Sequence, residues 1–130
     1  VTAPDRIEFT LQQRLPLLGK QLRSHWARRR KAALSMAWEI AAAIPRASRP
    51  QTPWIRATVL VERYGPKKPD RDNLVSCVKP MLDILQPLHA KNRPLGLGII
   101  ANDNDDCIEL SVVHVQSNLE QTRVTLVRKA

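Results

Sequence analysis

Asp70 and Asp72 flank Arg71 directly after Lys67, Lys68 and Pro69. In a locally extended chain, residues two apart share a side. The two carboxylates therefore face one way in a protein of formal net charge +9. A second acidic group, Asp103, Asp105 and Asp106, lies further along. Oxygen-only ligands select hard divalent cations, so Mg²⁺ or Mn²⁺ is expected and zinc is not. Such an ion polarises a scissile phosphate and lowers the pKa of an attacking water, while a basic surface holds the polyanion. The chemistry indicated is metal-dependent phosphodiester hydrolysis. The competing reading makes Asp72 a helix N-cap and residues 103–106 an exposed acidic turn. A calcium loop is excluded by spacing: with Asp103 first and Asp105 third, Cys107 falls fifth and no glycine is sixth. The chain also lacks a Walker loop, a dinucleotide fingerprint and a GxSxG elbow.

Charge is distributed unevenly. Residues 1–69 carry a net +10 and residues 70–130 a net −1. This asymmetry, with a pI near 10.4, points to nucleic acid rather than a small acidic metabolite. Arg28, Arg29, Arg30 and Lys31 form a cationic run that the lone Glu39 nearby cannot neutralise, so phosphate contacts are expected there and at Lys67 and Lys68. Trp26, Trp38, Trp54, Tyr64 and Phe9 are the only aromatics, too few for a stacking platform. Trp26 and Trp38 read as core residues. His25 reads as a phosphate donor or a surface residue. His89 and His114 lack carboxylate neighbours in sequence.

The elements that must position these groups follow from periodicity and breakers. At 130 residues the chain reads as one domain, 1–130. Apolar alternation predicts strands over 7–11 and 54–63, the latter with Ile55, Ala57, Val59 and Val61 on one face. Between them, residues 15–23 read as a loop. Residues 24–43 read as a helix capped by Ser24, with Trp26, Ala33, Met36, Ala37, Ile40 and Ile44 on one side, ended by the proline cluster 45–53. A second helix is expected just after Asp72. Pro80 lies inside it and deletes an amide, so either a kink or a true helix start near Lys79 is expected. Residues 86–97 read as a loop. Strands over 107–115 and 122–127, joined by a turn at 117–121, complete the order β-α-β-α-β-β, an α+β mixed sheet with helices packed on it. No apolar run suffices for a membrane span, and residues 1–10 lack a signal-peptide core. Cys77 and Cys107, without a CxxC, read as buried, reduced thiols, which makes the expected location cytoplasmic.

Three segments in order carry a resemblance: Asp70-Arg71-Asp72-Asn73-Leu74, then Lys79-Pro80-Met81-Leu82-Asp83-Ile84-Leu85, then Gly98-Ile99-Ile100-Ala101-Asn102-Asp103. Over residues 67–115 the chain resembles the RusA-type Holliday junction resolvases of bacteria and their phages. The stretch 25–31 is also similar to the basic region after the first strand there. The resemblance implies a RusA-like mixed-sheet fold and a homodimeric, Mg²⁺-dependent endonuclease that resolves four-way DNA junctions by paired nicks. Asp70 and Asp72 match the first two catalytic aspartates and Asp103 the third, with Asn102 where many relatives have an acid. The family's functional lysine matches Ser76 by direct counting. Aligning on Lys-x-x-x-Asp instead selects Lys79, across an apparent three-residue insertion. Lys79 and Asp83 also read simply as a surface ion pair. A non-catalytic basic DNA-binding protein, or a nuclease for other branched DNA or for RNA, fits the same composition.

Overall fold

The computed structural model describes residues 5–16, 26–87 and 96–129. In chain order the elements are β1 (Arg6–Leu11), α1 (Trp26–Ala43), a short 3₁₀ turn (Arg46–Ser48), β2 (Ala57–Gly65), α2 (Arg71–Ser76), α3 (Lys79–Leu85), β3 (Ile108–Gln116) and β4 (Gln121–Arg128). The protein is α+β, with one four-stranded mixed sheet ordered β1-β4-β2-β3. β4 runs antiparallel to both its neighbours, and β2 runs parallel to β3. A parallel pair needs a long crossover. Here α2 and α3 supply it.

Alternation decides which side of the sheet is buried. Ile7, Phe9 and Leu11 of β1 lie in register with Leu126, Val124 and Thr122 of β4. The same β4 residues Leu126 and Val124 face Val59 and Val61 of β2, which in turn face Leu110 and Val112 of β3. These residues join Met36, Ala37 and Ile40 of α1 and Met81, Leu82, Ile84 and Leu85 of α3 in one hydrophobic core. The alternate residues Glu8, Leu60, Ser111, Val113 and Arg123 stay exposed, so helices cover one face only. No helix among the described residues is long and apolar enough to cross a membrane.

Several boundaries differ from those expected. The second strand begins at Ala57, because the chain bends at residues 55–56. Ile55, expected inward, is consequently 74% exposed. Trp54 instead makes an isolated parallel bridge with Ile100. β3 and β4 are not hydrogen-bonded partners, since β2 lies between them. Their connection crosses the end of β2, where Ser117 N–H donates to the Gly65 carbonyl at 3.1 Å. A Cβ on Gly65 would stand 3.0 Å from the Arg14 side chain, which pairs with Glu120 of that connection at 3.1 Å. Glycine permits this close approach.

Trp26 and Trp38 are not core residues. They are 62% and 61% exposed: Trp38 lies nearly opposite the inward Met36, Ala37 and Ile40, and Trp26 is the first residue of the helix. The C-terminus of α1 is satisfied by Arg49, whose guanidinium donates to the carbonyls of Ile44 and Ala41 at 2.8 and 2.9 Å. Of the thiols, Cys77 is buried and Cys107 only partly so, a correction to the expectation of two buried thiols. The expected Ser24 cap, His25, His89, and most of the loops at 15–23 and 86–97 lie outside the described residues.

Candidate functional site

The helical segment begins at Arg71 rather than after Asp72, so Asp72 lies in a first turn and not on an extended chain beside Asp70, and the segment is two helices. α2 ends at Ser76, and α3 starts afresh at Lys79 with Val78 as its N-cap. Pro80 occupies the first turn, where an amide has no intrahelical partner to lose. The expected start near Lys79 is what the chain adopts. Lys79 thus leads a helix whose far end is tied to the next segment: the Leu85 carbonyl accepts the amides of Ile99 and Ile100 at 2.8 and 3.2 Å. Ile99 and Ile100 are fully buried, and Trp54 N–H donates to the Ile99 carbonyl at 2.8 Å while its own carbonyl accepts from Ala101 at 2.9 Å. This anchoring places Asp103 over the start of α3.

Lys79 Nζ donates to Asp103 Oδ2 at 2.5 Å and to Asp83 Oδ1 at 3.0 Å. Two of the three N–H groups of an ammonium are used in this way, leaving one. The side chain of Lys79 is 61% exposed and that of Asp103 only 18%. The Asp103 hydrogen bond, aided by Asp83 and opposed by partial burial, raises the Lys79 pKa above its ordinary 10.5. Lys79 is therefore a fixed cation at neutral pH. It is Lys79, and not Ser76 at the end of α2, that reaches Asp103.

The loop carrying Asp103 is braced by two asparagines. Asn102 Oδ1 accepts the amides of Asp103 and Asn104 at 2.7 and 3.3 Å. Asn104 Oδ1 accepts those of Asp106 and Cys107 at 3.1 and 3.0 Å. These are Asx turns, which a short amide or carboxylate side chain forms equally. Residue 102 has a positioning task, which reasoning about its charge alone missed. The Asn-x-Asn spacing was the available signal. Asp105 and Asp106 are exposed and, with Glu109, Arg56 and Lys129, line an open depression of about 250 Å³ in which Lys129 pairs with Glu109 at 2.5 Å.

Asp70 and Asp72 are exposed at the opening of α2. The N-cap is Asp70, not Asp72, and its side chain makes no capping hydrogen bond. Capping therefore accounts for neither carboxylate. Among the described residues no three carboxylate, imidazole or thiolate side chains gather into a group that could hold a metal ion. Mg²⁺, however, is commonly held by one or two carboxylates together with waters and substrate phosphates rather than by a closed protein cage. Asp70, Asp72 and Asp103 are not gathered into a three-ligand group, so the structure brings Lys79 to Asp103 but not the three expected carboxylates to one another.

The expected phosphate contacts are all exposed. Arg28, Arg29, Arg30 and Lys31 lie in the first turns of α1, and Lys67 and Lys68 in the loop between β2 and α2. Glu39, the only acid on α1, is engaged elsewhere: its carboxylate accepts the Gln12 amide at 2.8 Å and the Gln13 side chain at 3.5 Å. His114 is half-buried on β3, with Nε2 3.4 Å from Gln116 Oε1 and Nδ1 buried without a partner. No family model matches the chain, and a search of curated proteins finds no match.

Proposed function

We propose that this chain is a Mg²⁺-dependent, structure-selective DNA endonuclease of the RusA type, acting as a homodimer to nick four-way junctions in symmetric pairs. The observation that carries the reading is the meeting of Lys79 with Asp103, which joins two of the three segments of the resemblance at one point. The exposed carboxylates of Asp70 and Asp72 support it, since neither makes a capping hydrogen bond.

Asp70, Asp72 and Asp103 would hold Mg²⁺, which when bound supplies a polarised phosphate and an activated water. Asn102 keeps the Asp103 backbone in place. Lys79 offers its remaining N–H to a phosphoryl oxygen as negative charge develops there. Arg28–Lys31 and Lys67–Lys68 hold the flanking backbone without reading sequence. Cleavage leaves a 5′-phosphate and a 3′-hydroxyl. A two-fold dimer matches the symmetry of a four-way junction.

A second reading has its own support. The absence, among the described residues, of a three-ligand metal group favours a basic DNA-binding protein that does not cut. The two separate on a synthetic junction incubated with and without Mg²⁺, using the wild type and Asp72→Asn. Mg²⁺-dependent cleavage that the substitution abolishes supports the enzyme. A wild type that binds the junction without ever cutting it, or cleavage surviving Asp72→Asn, removes that reading. Blunt duplex, flap and RNA substrates of equal length then decide among branched targets.

A further inference from the structure

Trp38 is the largest exposed apolar side chain in the second half of α1, and it stands on the same helical face as Lys31 and Leu34. Lys31, Leu34 and Trp38 are spaced i, i+3 and i+7, so they form one stripe on a helix roughly 27 Å long. Leu34 is itself exposed. The stripe lies away from Met36, Ala37 and Ile40, whose burial fixes how α1 is rotated on the sheet. An exposed tryptophan forfeits the burial that normally stabilises so large a ring. Nothing in the packing of α1 requires tryptophan there.

The charge around the stripe identifies its occupant. Arg28, Arg29, Arg30 and Lys31 are exposed in the first half of the same helix, and the one acid on α1, Glu39, is committed to the chain after β1. A second copy of this chain laid on the same face would bring cations against cations. A polyanion meets no such repulsion. Indole faces stack on nucleobases, which are accessible only where they are unpaired, and this stacking tolerates any sequence.

We propose that the outer face of α1 binds single-stranded or unpaired DNA, with Trp38 stacking on an exposed base while Lys31, flanked by Arg28 and Arg30, holds the adjoining phosphates. This inference rests on the nucleic-acid reading of the basic helix and not on cleavage. It gives the chain a means of preferring DNA with open bases, as at a branch point, over continuous duplex. Duplex engages the cations alone. Unpaired strand engages the cations and the indole.

The test uses the full chain without divalent metal, with fluorescence anisotropy on three labelled probes: a single strand, a blunt duplex of the same length and an open-centred four-way junction. Trp38→Ala is expected to weaken single-strand and junction binding roughly 5- to 100-fold, with duplex binding held within about twofold because phosphate contacts are unchanged. Trp38→Phe, which keeps a stacking face, restores most of the loss. Wild-type tryptophan emission is quenched by the single strand, and that quenching is largely lost in Trp38→Ala. The side chain is exposed, so the substitution leaves the circular dichroism spectrum unchanged.

Equal binding of wild type and Trp38→Ala to the single strand overturns the inference, as does an equal loss on all three probes. So does a concentration-dependent dimer that Trp38→Ala converts to monomer, which makes the face a self-contact. If wild type binds none of the probes, the proposed function falls as well. If Mg²⁺-dependent cleavage persists while Trp38→Ala binds normally, only the stacking role falls.

Discussion

Lys79 and Asp103, 24 positions apart, meet at 2.5 Å, and the shorter-range partner Asp83 shares the same ammonium at 3.0 Å. Lys79 thereby links the start of α3 to the loop before β3. Because the ammonium is 61% exposed, the pair is a weak source of stability. Its importance is positional. Lys79→Ala is expected to change unfolding free energy by less than about 1 kcal/mol in denaturant titration. Cleavage of a junction should fall at least tenfold, and Lys79→Arg should recover only part of it, because a planar fork does not replace a compact ammonium.

The pH dependence of that contact has a defined sign. The Lys79 pKa is raised in the folded protein, first by the hydrogen bond to Asp103. Its stabilising contribution is complete below the unfolded lysine value and is lost as pH rises through the higher folded value. Subtracting the Lys79→Ala stability curve from that of wild type should give a small difference that is flat from neutral pH to about pH 10 and shrinks only above it. A difference that shrinks on acidification instead would show that the pair is controlled by its carboxylate.

Asp70 and Asp72 should be separable from folding. Asp70 is the N-cap residue of α2, but neither its side chain nor that of Asp72 makes a capping hydrogen bond, so Asp70→Asn and Asp72→Asn are each expected to shift stability by no more than about 0.5 kcal/mol. Metal-free junction binding, measured by anisotropy at fixed salt, should hold or tighten because a negative charge near the phosphates is removed. Mg²⁺-dependent cleavage should fall by two or more orders of magnitude. A large stability loss in either variant would return these residues to a structural role.

Asn102 offers a graded test of loop geometry. Asn102→Asp keeps the oxygen that accepts the amides of Asp103 and Asn104, whereas Asn102→Ala removes it. The alanine variant is expected to lose about 1 kcal/mol and most of its cleavage. The aspartate variant should retain stability and activity near wild type. Comparable losses in both would show that the amide of Asn102, not its acceptor oxygen, is what matters.

The two thiols should react at very different rates. Burial pushes the Cys77 pKa up to about 11, against the opposing pull of Arg63, and its thiol donates to the Leu74 carbonyl at 2.9 Å. Cys107 is partly exposed in the turn before β3. A disulfide reagent at neutral pH should label one equivalent quickly at Cys107, with Cys77 labelled only as the protein opens. Peptide mapping identifies the site, and fast labelling of Cys77 would contradict its burial.

Much of the architecture was legible in local pattern. Period-two alternation located the strands around Phe9 and Val59, strands were also expected around Val112 and Val124, and the inward Met36, Ala37 and Ile40 of α1 followed from helical spacing. Pro80 allowed a kink or a helix start near Lys79, and the start is adopted, because a residue without an amide is tolerated in a first turn and costly later. The excess of cations before residue 70 was legible in composition, and those of residues 28–31 and 67–68 are exposed. These are properties of a chain's own geometry and composition, which need no partner segment to be read.

Only the tertiary structure decided which segments meet. Alternation says that β3 and β4 each have an apolar face, but not that β2 enters between them; that follows from closing the crossover through α2 and α3 and burying both faces' neighbours at once. Trp26 and Trp38 read as core residues from composition, but packing on the sheet selects the rotation that buries Met36, Ala37 and Ile40 and turns Trp38 outward, while Trp26 is exposed at the first residue of the helix. That Lys79 meets Asp103 depends on a helix break and on the anchoring of Ile99 and Ile100 against Leu85, non-local contacts that residue spacing does not encode. Sequence alone supplied clustered carboxylates in a strongly basic chain. The burial of distant apolar residues against one another is what brings Lys79 and Asp103 together and turns Trp38 outward.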